Sequence, residues 1–392
     1  MNFSRAFYFA VLSGLFCVPL HASADVKVLV GTDPADEGGG SLGFLALPPS
    51  LQDALGKKVV YRQTSNLTDV MRASRTQEND ILVGPPHVTA SAISHGYRLL
   101  ARDTSNTNYV LVARKDIGGI GQLAGKRLYL TQEDSARAYL AKGLLTDANL
   151  SLKQFRNVAY GRTSGAGLLA VKMNLADVTV AEEAEAERWM KANPDVAVVL
   201  KATRPVPGGV AVTVQKSMPE AERKALLKWL ASSDAKLSGY GKLQAATEAD
   251  EEQYRYIASL GILTPAAVQG ATVVAAAEVA KLIASGVVAI DTRSQKEFEH
   301  EHIAGAIHAP YIERSLKERD FDRTMDDYSA ITKLAKDKPV IFLCNGPECW
   351  KSYKASRIAA ENGFKTVYWY RNGMPEWREK SMPTAGVTLA SR

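Results

Sequence analysis

Two cysteines five positions apart are the residues best suited to chemistry in this sequence. Cys344 ends the apolar run KPVIFLC, and Cys349 stands shortly before the helical pattern YKASRIAAENGF. A cysteine between a strand and a helix lies near converging backbone N–H groups and a helix dipole, which favour a thiolate and the binding of an anion. The segment therefore predicts a reactive loop, whose other residues are Asn345, Gly346, Pro347, Glu348, Trp350, Lys351 and Ser352.

The pair is also compatible with a disulfide or a metal clip. A bridge between these cysteines would close a very short loop and add little stability by chain entropy, so such a pairing would concern chemistry more than folding. Two cysteines lack the further ligands that a closed zinc site needs. We expect no metal and no cofactor.

The composition is that of an ordinary globular protein. The chain has 392 residues, which is room for two or three domains, with 46% hydrophobic and 23% charged residues. The formal charge is +6, and no long Lys/Arg block accompanies it. We therefore expect no nucleic-acid binding, while a modest preference for anionic small molecules is compatible with this charge.

The N-terminal segment MNFSRAFYFAVLSGLFCVPLHASA has the features of a secretory signal peptide. An early arginine, a short apolar run and the small residues Ala22-Ser23-Ala24 predict cleavage after residue 24. The run is short for a transmembrane helix, so we expect no stable membrane insertion after cleavage. Removal of Cys17 would leave Cys344 and Cys349 in the oxidising periplasm, where a disulfide can persist.

Strand and helix patterns alternate along the rest of the chain. Over residues 25–247, runs such as VKVLVG, KKVVYRQ and DILVGPPHVT alternate with helical spacing and predict a mostly parallel α/β sheet in two lobes. Residues 248–271 have no strand signal and predict a helical linker. A third unit, 272–392, opens with the amphipathic helix VAAAEVAKLIASG, which Gly286 ends.

The first unit resembles the phosphonate-type periplasmic solute-binding proteins. The resemblance lies in a strand followed by Gly-Pro, the run VLVARKD, the segment LAGKRL and a Thr/Ser-rich helix start. It implies a bilobal periplasmic-binding-protein fold of type II with the ligand between the lobes, and a transporter as partner.

In such a fold, ligand contacts come from loops after strands and from helix N-termini. Thr131 and Ser135 could offer hydroxyls to an oxyanion, and Arg162 is the most attractive charge for an anionic ligand. The alternatives are ordinary helix N-caps for the Ser and Thr residues and a packed turn residue for His87. The candidate contacts are Thr32, Asp33, Ser41, Gly84, Pro85, His87, Thr131, Ser135, Arg162 and Ser164.

The third unit resembles the rhodanese-like domains. The strand that ends in Cys344 matches the strand that carries the rhodanese active cysteine. The resemblance implies an α/β domain with a parallel sheet, in which Cys344 takes up sulfur as a persulfide and a second nucleophile removes it. The other matching positions are Asp291, Arg293, Glu297, Phe298, His302, Ile303, Gly305, Ala306, Asn372, Gly373, Trp377 and Pro383.

The loop departs from the usual rhodanese pattern in its charge, and it is about two residues longer. The usual arginine is missing and Lys351 is the basic residue present, while Trp350 stands where phosphatase relatives need arginine. Cys349-Trp350 with Ser352 resembles the CxxCW rhodanese-like proteins found beside quinone-cofactor alcohol oxidation systems, although here four residues separate the cysteines.

These features together predict a periplasmic sulfurtransferase-like protein whose N-terminal cleft binds a small anionic solute, such as a sulfur or phosphorus oxyanion. A thiol acceptor or redox partner would complete the reaction. Two alternatives stay open: a non-catalytic solute-binding protein with a degenerate rhodanese module, and a thiol–disulfide redox protein that uses Cys344 and Cys349.

Overall fold

The structure is a computed structural model that describes residues 25–33, 47–237, 240 and 242–386. The predicted signal peptide and the candidate contact Ser41 lie outside the described residues. No helix in the described ranges is long and apolar enough to cross a membrane.

The first lobe is built on a six-stranded mixed sheet in the order β13-β4-β12-β3-β1-β2. Its strands are β1 Val26–Gly31, β2 Val59–Thr64, β3 Ile81–Gly84, β4 Tyr97–Asp103, β12 Ala211–Gln215 and β13 Leu243–Ala245. Its helices are α1 Ser50–Leu55, α2 Leu67–Thr76, α3 Pro86–Ser94, α7 Glu220–Leu230 and α8 Ser233–Leu237. Helix α3 is buried along nearly its whole length, so it lies inside the protein rather than on its surface.

The second lobe is built on a five-stranded sheet in the order β10-β6-β9-β7-β8. Its strands are β6 Tyr109–Arg114, β7 Arg127–Thr131, β8 Asn157–Gly161, β9 Val178–Glu182 and β10 Ala197–Ala202, and its helices are α4 Ala136–Thr146, α5 Ser164–Lys172 and α6 Glu183–Ala192. Two short antiparallel strands, β5 Asn106–Thr107 and β11 Val206–Pro207, carry the chain between the lobes.

The lobes are less parallel than the alternation of strands and helices predicts. Strand β12 runs antiparallel to both β3 and β4, and β6 runs antiparallel to both β9 and β10. Strands β6 and β12 each follow one of the extended crossovers instead of a helix. A return helix is what keeps successive strands parallel, so the crossover strands account for the difference.

The C-terminal domain has a five-stranded, wholly parallel sheet in the order β14-β19-β18-β15-β17. The strands of this sheet are β14 Thr272–Val273, β15 Val288–Asp291, β17 Ile307–His308, β18 Val340–Leu343 and β19 Val367–Tyr370. The strands β16 His302–Ile303 and β20 Thr384–Ala385 form a separate antiparallel pair. Its helices are α10 Ala276–Ala284, α11 Gln295–His300, α12 Ser329–Thr332, α13 Trp350–Glu361 and α14 Gly373–Glu379.

The first part of the segment between the two units is helical, and it is packed rather than free. Helix α9, Glu248–Ile257, continues into a turn of π-helix, Ala258–Ile262. Tyr254, Ile257 and Ala258 are fully buried in the hydrophobic core that both lobes share. The linker therefore belongs to the interior of the bilobal unit up to about the point where the C-terminal domain begins.

Candidate functional site

Cys344 and Cys349 lie at the two ends of one short loop at the carboxyl edge of the C-terminal sheet. Cys344 follows β18, the middle strand, and is 1% exposed. Cys349 is the N-cap residue of α13. The two sulfur atoms form a disulfide across a Cα–Cα distance of 6.0 Å. The structure therefore brings the predicted cysteines together in the oxidised form, and reduction must precede any nucleophilic role of Cys344.

The first turn of α14, which follows the neighbouring strand β19, supports the cysteine loop. The backbone N–H of Met374 donates to the carbonyl oxygen of Cys344 at 3.0 Å. Gly373 has φ +51°, and a Cβ on it would overlap that same carbonyl oxygen. A glycine is therefore required at this position of the rhodanese-like pattern because the start of α14 comes so close to the carbonyl oxygen of Cys344.

A chain of polar contacts fixes the first loop residue. Arg293 is buried and forms an ion pair with Asp291, with Nη2 2.6 Å from Oδ2. Its Nη1 lies 3.4 Å from Oδ1 of Asn345, and Nδ2 of Asn345 donates to Glu297 at 2.6 Å. Burial raises the pKa of Glu297, but hydrogen bonds from Ser294 and Asn345 outweigh it and the pKa is lowered. Arg293 is thus already paired and orients the loop through Asn345.

The start of α13 is packed rather than open. Ser352 is buried and accepts a hydrogen bond from Nε1 of Trp369 at 3.1 Å. Trp350 is 5% exposed and packs edge-on against Tyr353 with ring centroids 5.2 Å apart. Lys351 is half-buried. Trp350 and Ser352 therefore hold the helix in place, and Lys351 is the predicted loop cation with access to solvent.

Glu348, between the two cysteines, is inserted into the first lobe. Its Oε1 lies 3.2 Å from Nδ1 of His95, and its Oε2 lies 3.4 Å from Nη1 of Arg75. The carboxylate is 2% exposed and the His95 side chain is completely buried. Burial raises the pKa of Glu348, but His95 and Arg75 more than offset this, so its pKa lies below the ordinary value. Glu348 is therefore a buried, paired carboxylate and not a free catalytic acid.

The loop backbone is held by the linker and by the first lobe. Thr264 donates to the carbonyl oxygen of Pro347 from its backbone N–H at 2.7 Å and from its hydroxyl at 2.6 Å. Arg371 in turn donates to the carbonyl oxygen of Thr264 at 2.7 Å. Gly346 has φ +100°, and a Cβ there would lie 3.1 Å from Nε2 of His95. The first lobe and the linker therefore contact the middle of the cysteine loop, residues 346–348.

The predicted contacts of the first lobe gather where β1 and β3 end. Thr32 and Asp33 follow β1, Gly84 ends β3, and Pro85 is the N-cap residue of α3. These parallel strands are neighbours, so their carboxyl ends share one edge.

His87 lies at the same edge, as the second residue of α3. It is completely buried, and neither ring nitrogen has a hydrogen-bond partner among the described residues. Burial lowers its pKa, while Asp33, Asp134 and Glu348 act in the opposite direction. The ring centroid lies 6.0 Å from that of Tyr139 in the second lobe, so His87 stands where the lobes meet.

The predicted contacts of the second lobe gather where β7 and β8 end, since Thr131 pairs with Gly161 in register. The hydroxyl oxygens of Thr131 and Ser135 lie 2.7 Å apart, and Ser135 caps α4 by accepting from the backbone N–H of Ala138. Ser135 is thus the N-cap residue of α4, and the hydroxyl of Thr131, at the end of β7, pairs with it. Arg162 is exposed at the end of β8, and Ser164 is the first residue of α5.

Sequence reasoning missed the contacts between the two units. His95 and Arg75 carry no recognisable motif, and they lie more than 250 positions before Glu348 in the sequence. Lys317 of the C-terminal domain, 3.8 Å from Asp134, was missed for the same reason. The sequence places Glu348 in the cysteine loop, but nothing local to the sequence indicates where its carboxylate docks.

Two protein-family models match successive parts of the chain. Residues 43–254 match the family model described as ABC transporter, phosphonate, periplasmic substrate-binding protein. Residues 275–380 match the model of the rhodanese-like domain. No curated protein matches the chain.

Several solved structures resemble part of the chain at low identity. A Xanthomonas citri protein bound to ATP has 12% identity and a TM-score of 0.46, over 60% of this chain and 96% of that one. A binding protein component of an ABC phosphonate transporter from Pseudomonas aeruginosa has 15% identity and a TM-score of 0.42, over 66% and 94%. A Prochlorococcus marinus protein in complex with methylphosphonate has 15% identity and a TM-score of 0.41, over 60% and 97%.

The family assignment follows from the two models, because the first covers more than half of the chain and the second covers the domain that carries the cysteine loop. The chain belongs to the phosphonate-type periplasmic substrate-binding proteins of ABC transporters, with a rhodanese-like domain joined to its C-terminal end.

Proposed function

We propose that this protein is a periplasmic sulfurtransferase that works through Cys344, joined to a cleft that binds a small oxyanion. The observation that carries the proposal is the position of Cys344 at the end of the central parallel strand. Its sulfur is bonded to that of Cys349, the N-cap residue of α13, so Cys344 lies close to the start of that helix. The carboxyl edge of a parallel sheet together with a helix N-terminus favours a thiolate and an anionic donor.

The reaction begins with the reduced pair. The Cys344 thiolate attacks the outer sulfur of a donor such as thiosulfate, the donor S–S bond breaks, and sulfite leaves with the electron pair. Cys344 then carries a persulfide. The Cys349 thiolate attacks the inner sulfur of that persulfide, the disulfide forms again, and hydrosulfide leaves. Two thiols, or one dithiol, must reduce the disulfide before the next cycle.

Mass spectrometry of the intact, reduced protein after exposure to thiosulfate tests this sequence. Cys349→Ser should accumulate one extra sulfur atom because resolution is blocked, whereas wild type should release sulfite and return to the disulfide. Cys344→Ser should gain no sulfur. Sulfur uptake by Cys344→Ser, or no uptake by Cys349→Ser, would contradict the proposal.

A second candidate, a thiol–disulfide redox protein, is favoured by the disulfide itself. In that case reduced wild type should lose two hydrogens on mild oxidation and exchange with a glutathione redox buffer. Thiosulfate should then leave the mass of Cys349→Ser unchanged. The same pair of variants therefore separates the two candidates.

The cleft is tested independently by calorimetric titration with methylphosphonate, phosphate, sulfate and thiosulfate. We expect binding of at least one of these anions, weakened about tenfold in Arg162→Gln because a charge-assisted hydrogen bond is lost. Arg188→Gln, an exposed arginine on α6, is the matched control. Equal affinity in the two variants would remove Arg162 from the site.

A further inference from the structure

The rhodanese-like domain touches both lobes of the solute-binding unit. On the first lobe, Glu348 pairs with His95 and Arg75. On the second lobe, Nζ of Lys317 lies 3.8 Å from Asp134, and Glu318 accepts the backbone N–H of Leu152 at 3.0 Å. One rigid domain therefore bridges two lobes that are also joined by the short pair β5–β11, by helix α9 and by a shared hydrophobic core.

A change in the angle between the lobes cannot preserve both sets of contacts. Hinge closure in bilobal proteins occurs at a few extended residues, and β5 and β11 provide two such crossovers here. Since packed interfaces have discrete arrangements, rotation of one lobe must release the domain from the other lobe. The bridging domain and the hinge are mechanically linked.

In the described arrangement the lobes are in contact, with the ring centroid of His87 6.0 Å from that of Tyr139 and one hydrophobic core that spans both lobes. Asp33 and His87 of the first lobe and Asp134 of the second lobe lie along the cleft, and all three are at most 9% exposed. In this same arrangement Glu348 is docked and Cys344 is 1% exposed. Contact between the lobes and a buried Cys344 therefore occur together.

We propose that the solute in the cleft controls access to the Cys344–Cys349 pair, so that the protein acts as a solute-gated thiol. The proposal deepens the proposed function and depends on its oxyanion cleft. An anion that holds the lobes closed keeps Glu348 and Glu318 docked and shields the disulfide. When the cleft is empty the lobes can part, the loop is released, and a thiol reductant can open the disulfide, yielding two cysteine thiols and one oxidised reductant disulfide.

The first experiment needs no ligand. The disulfide of the full chain is reduced with a phosphine, the free thiols are trapped with iodoacetamide, and the rate is followed by mass spectrometry. Glu348→Ala and Glu318→Ala should each raise the rate about tenfold, since each removes a buried or partly buried contact to one lobe. Glu379→Ala, an exposed carboxylate in the same domain, should match wild type.

Two further variants guard against simple misfolding. Glu348→Gln keeps the shape of the side chain and should give an intermediate rate. The double variant Glu348→Ala/Glu318→Ala should be little faster than either single variant, because one released side already frees the domain. Additive rates, or single variants no faster than Glu379→Ala, would overturn the bridge.

The second experiment adds the oxyanion that binds most tightly among methylphosphonate, phosphate, sulfate and thiosulfate. Saturation should slow reduction of the wild-type disulfide several-fold and have no effect on the double variant. Binding without a change in rate would overturn the gating while leaving the oxyanion cleft in place. Absence of binding by all four anions would overturn the cleft, and the gating with it.

Discussion

At the residue scale, the interior of the rhodanese-like domain depends on one buried amine. Lys354 is completely buried on α13, and its Nζ lies 2.7 Å from Glu313 and 3.6 Å from Asp326. It also donates to the hydroxyl of Ser315 at 2.9 Å. A buried charge is tolerated only when its partners are present.

Lys354→Met should therefore destabilise the protein by about 3–5 kcal/mol, because Asp326 is left as a buried carboxylate without its cation. Adding Asp326→Asn should recover part of the loss. Urea unfolding measures both changes, with half-buried Lys351→Met as the control. A cost below about 1 kcal/mol, the range of a surface pair, would show that Lys354 does not compensate Asp326.

The cysteine loop illustrates what a sequence can indicate at this scale. The types and spacing of Cys344 and Cys349 place them correctly on one loop, since an apolar strand and a helix pattern flank them. The same reasoning does not reveal that Glu348, between the two cysteines, docks against His95 of the first lobe, because this contact joins residues far apart in the chain.

At the element scale, one ion pair joins the starts of two strands in the second lobe. Nη2 of Arg127 lies 2.7 Å from Oδ1 of Asp177, and the backbone N–H of Arg127 donates to Oδ2 at 2.8 Å. The hydrogen bond from the Arg127 side chain is the main cause that lowers the pKa of Asp177 to about 2. Strands β7 and β9, which pair in parallel, are tied together at this end.

The folded-state pKa of Asp177 is below the unfolded value, so the unfolded chain binds the proton more readily. Its stabilisation should be complete above pH about 4 and should be lost as the pH falls to about 2. Asp177→Asn should cost roughly 1–2 kcal/mol at neutral pH, after allowance for solvent screening, and nothing near pH 2. Thermal unfolding against pH checks this, with exposed Asp234→Asn as control; a cost that does not vary with pH would contradict it.

The order of strands and helices was predictable from the sequence, but their direction was not. Alternating apolar runs and helical spacing identify both lobes, and Gly286, at φ +91°, ends the first helix of the third unit as predicted. The antiparallel pairs of β6 and β12 escape this reasoning. The extended crossovers β5 and β11 are two residues each and too short to give a periodic signal.

At the scale of the whole molecule, the two units share more than a linker. Leu316 of the rhodanese-like domain packs against the core of the bilobal unit, and Tyr254 of the linker helix is buried in that core. No local pattern predicts such contacts, because they depend on how two separately recognisable folds dock. The family resemblances therefore predict each unit and say nothing about their interface.

This interface should make unfolding cooperative. We expect wild type to unfold in one calorimetric transition and Leu316→Ser to unfold in two, because the interface loses apolar burial while each domain keeps its own core. Met325→Ser, at a side chain that is 50% exposed in the same domain, should keep the single transition. Two transitions in wild type would mean that the contacts contribute little to stability.

Helix α3 has one end at the cleft and the other at the cysteine loop, with His87 in its first turn and His95 at its C-cap. Eight residues of α-helix span about 12 Å, several times the length of a sulfur–sulfur bond. A molecule held beside His87 is therefore out of reach of the Cys344 sulfur. The solute that the cleft retains and the molecule that delivers sulfur must then be separate molecules, or one molecule at two separate times, and each should have its own saturation curve.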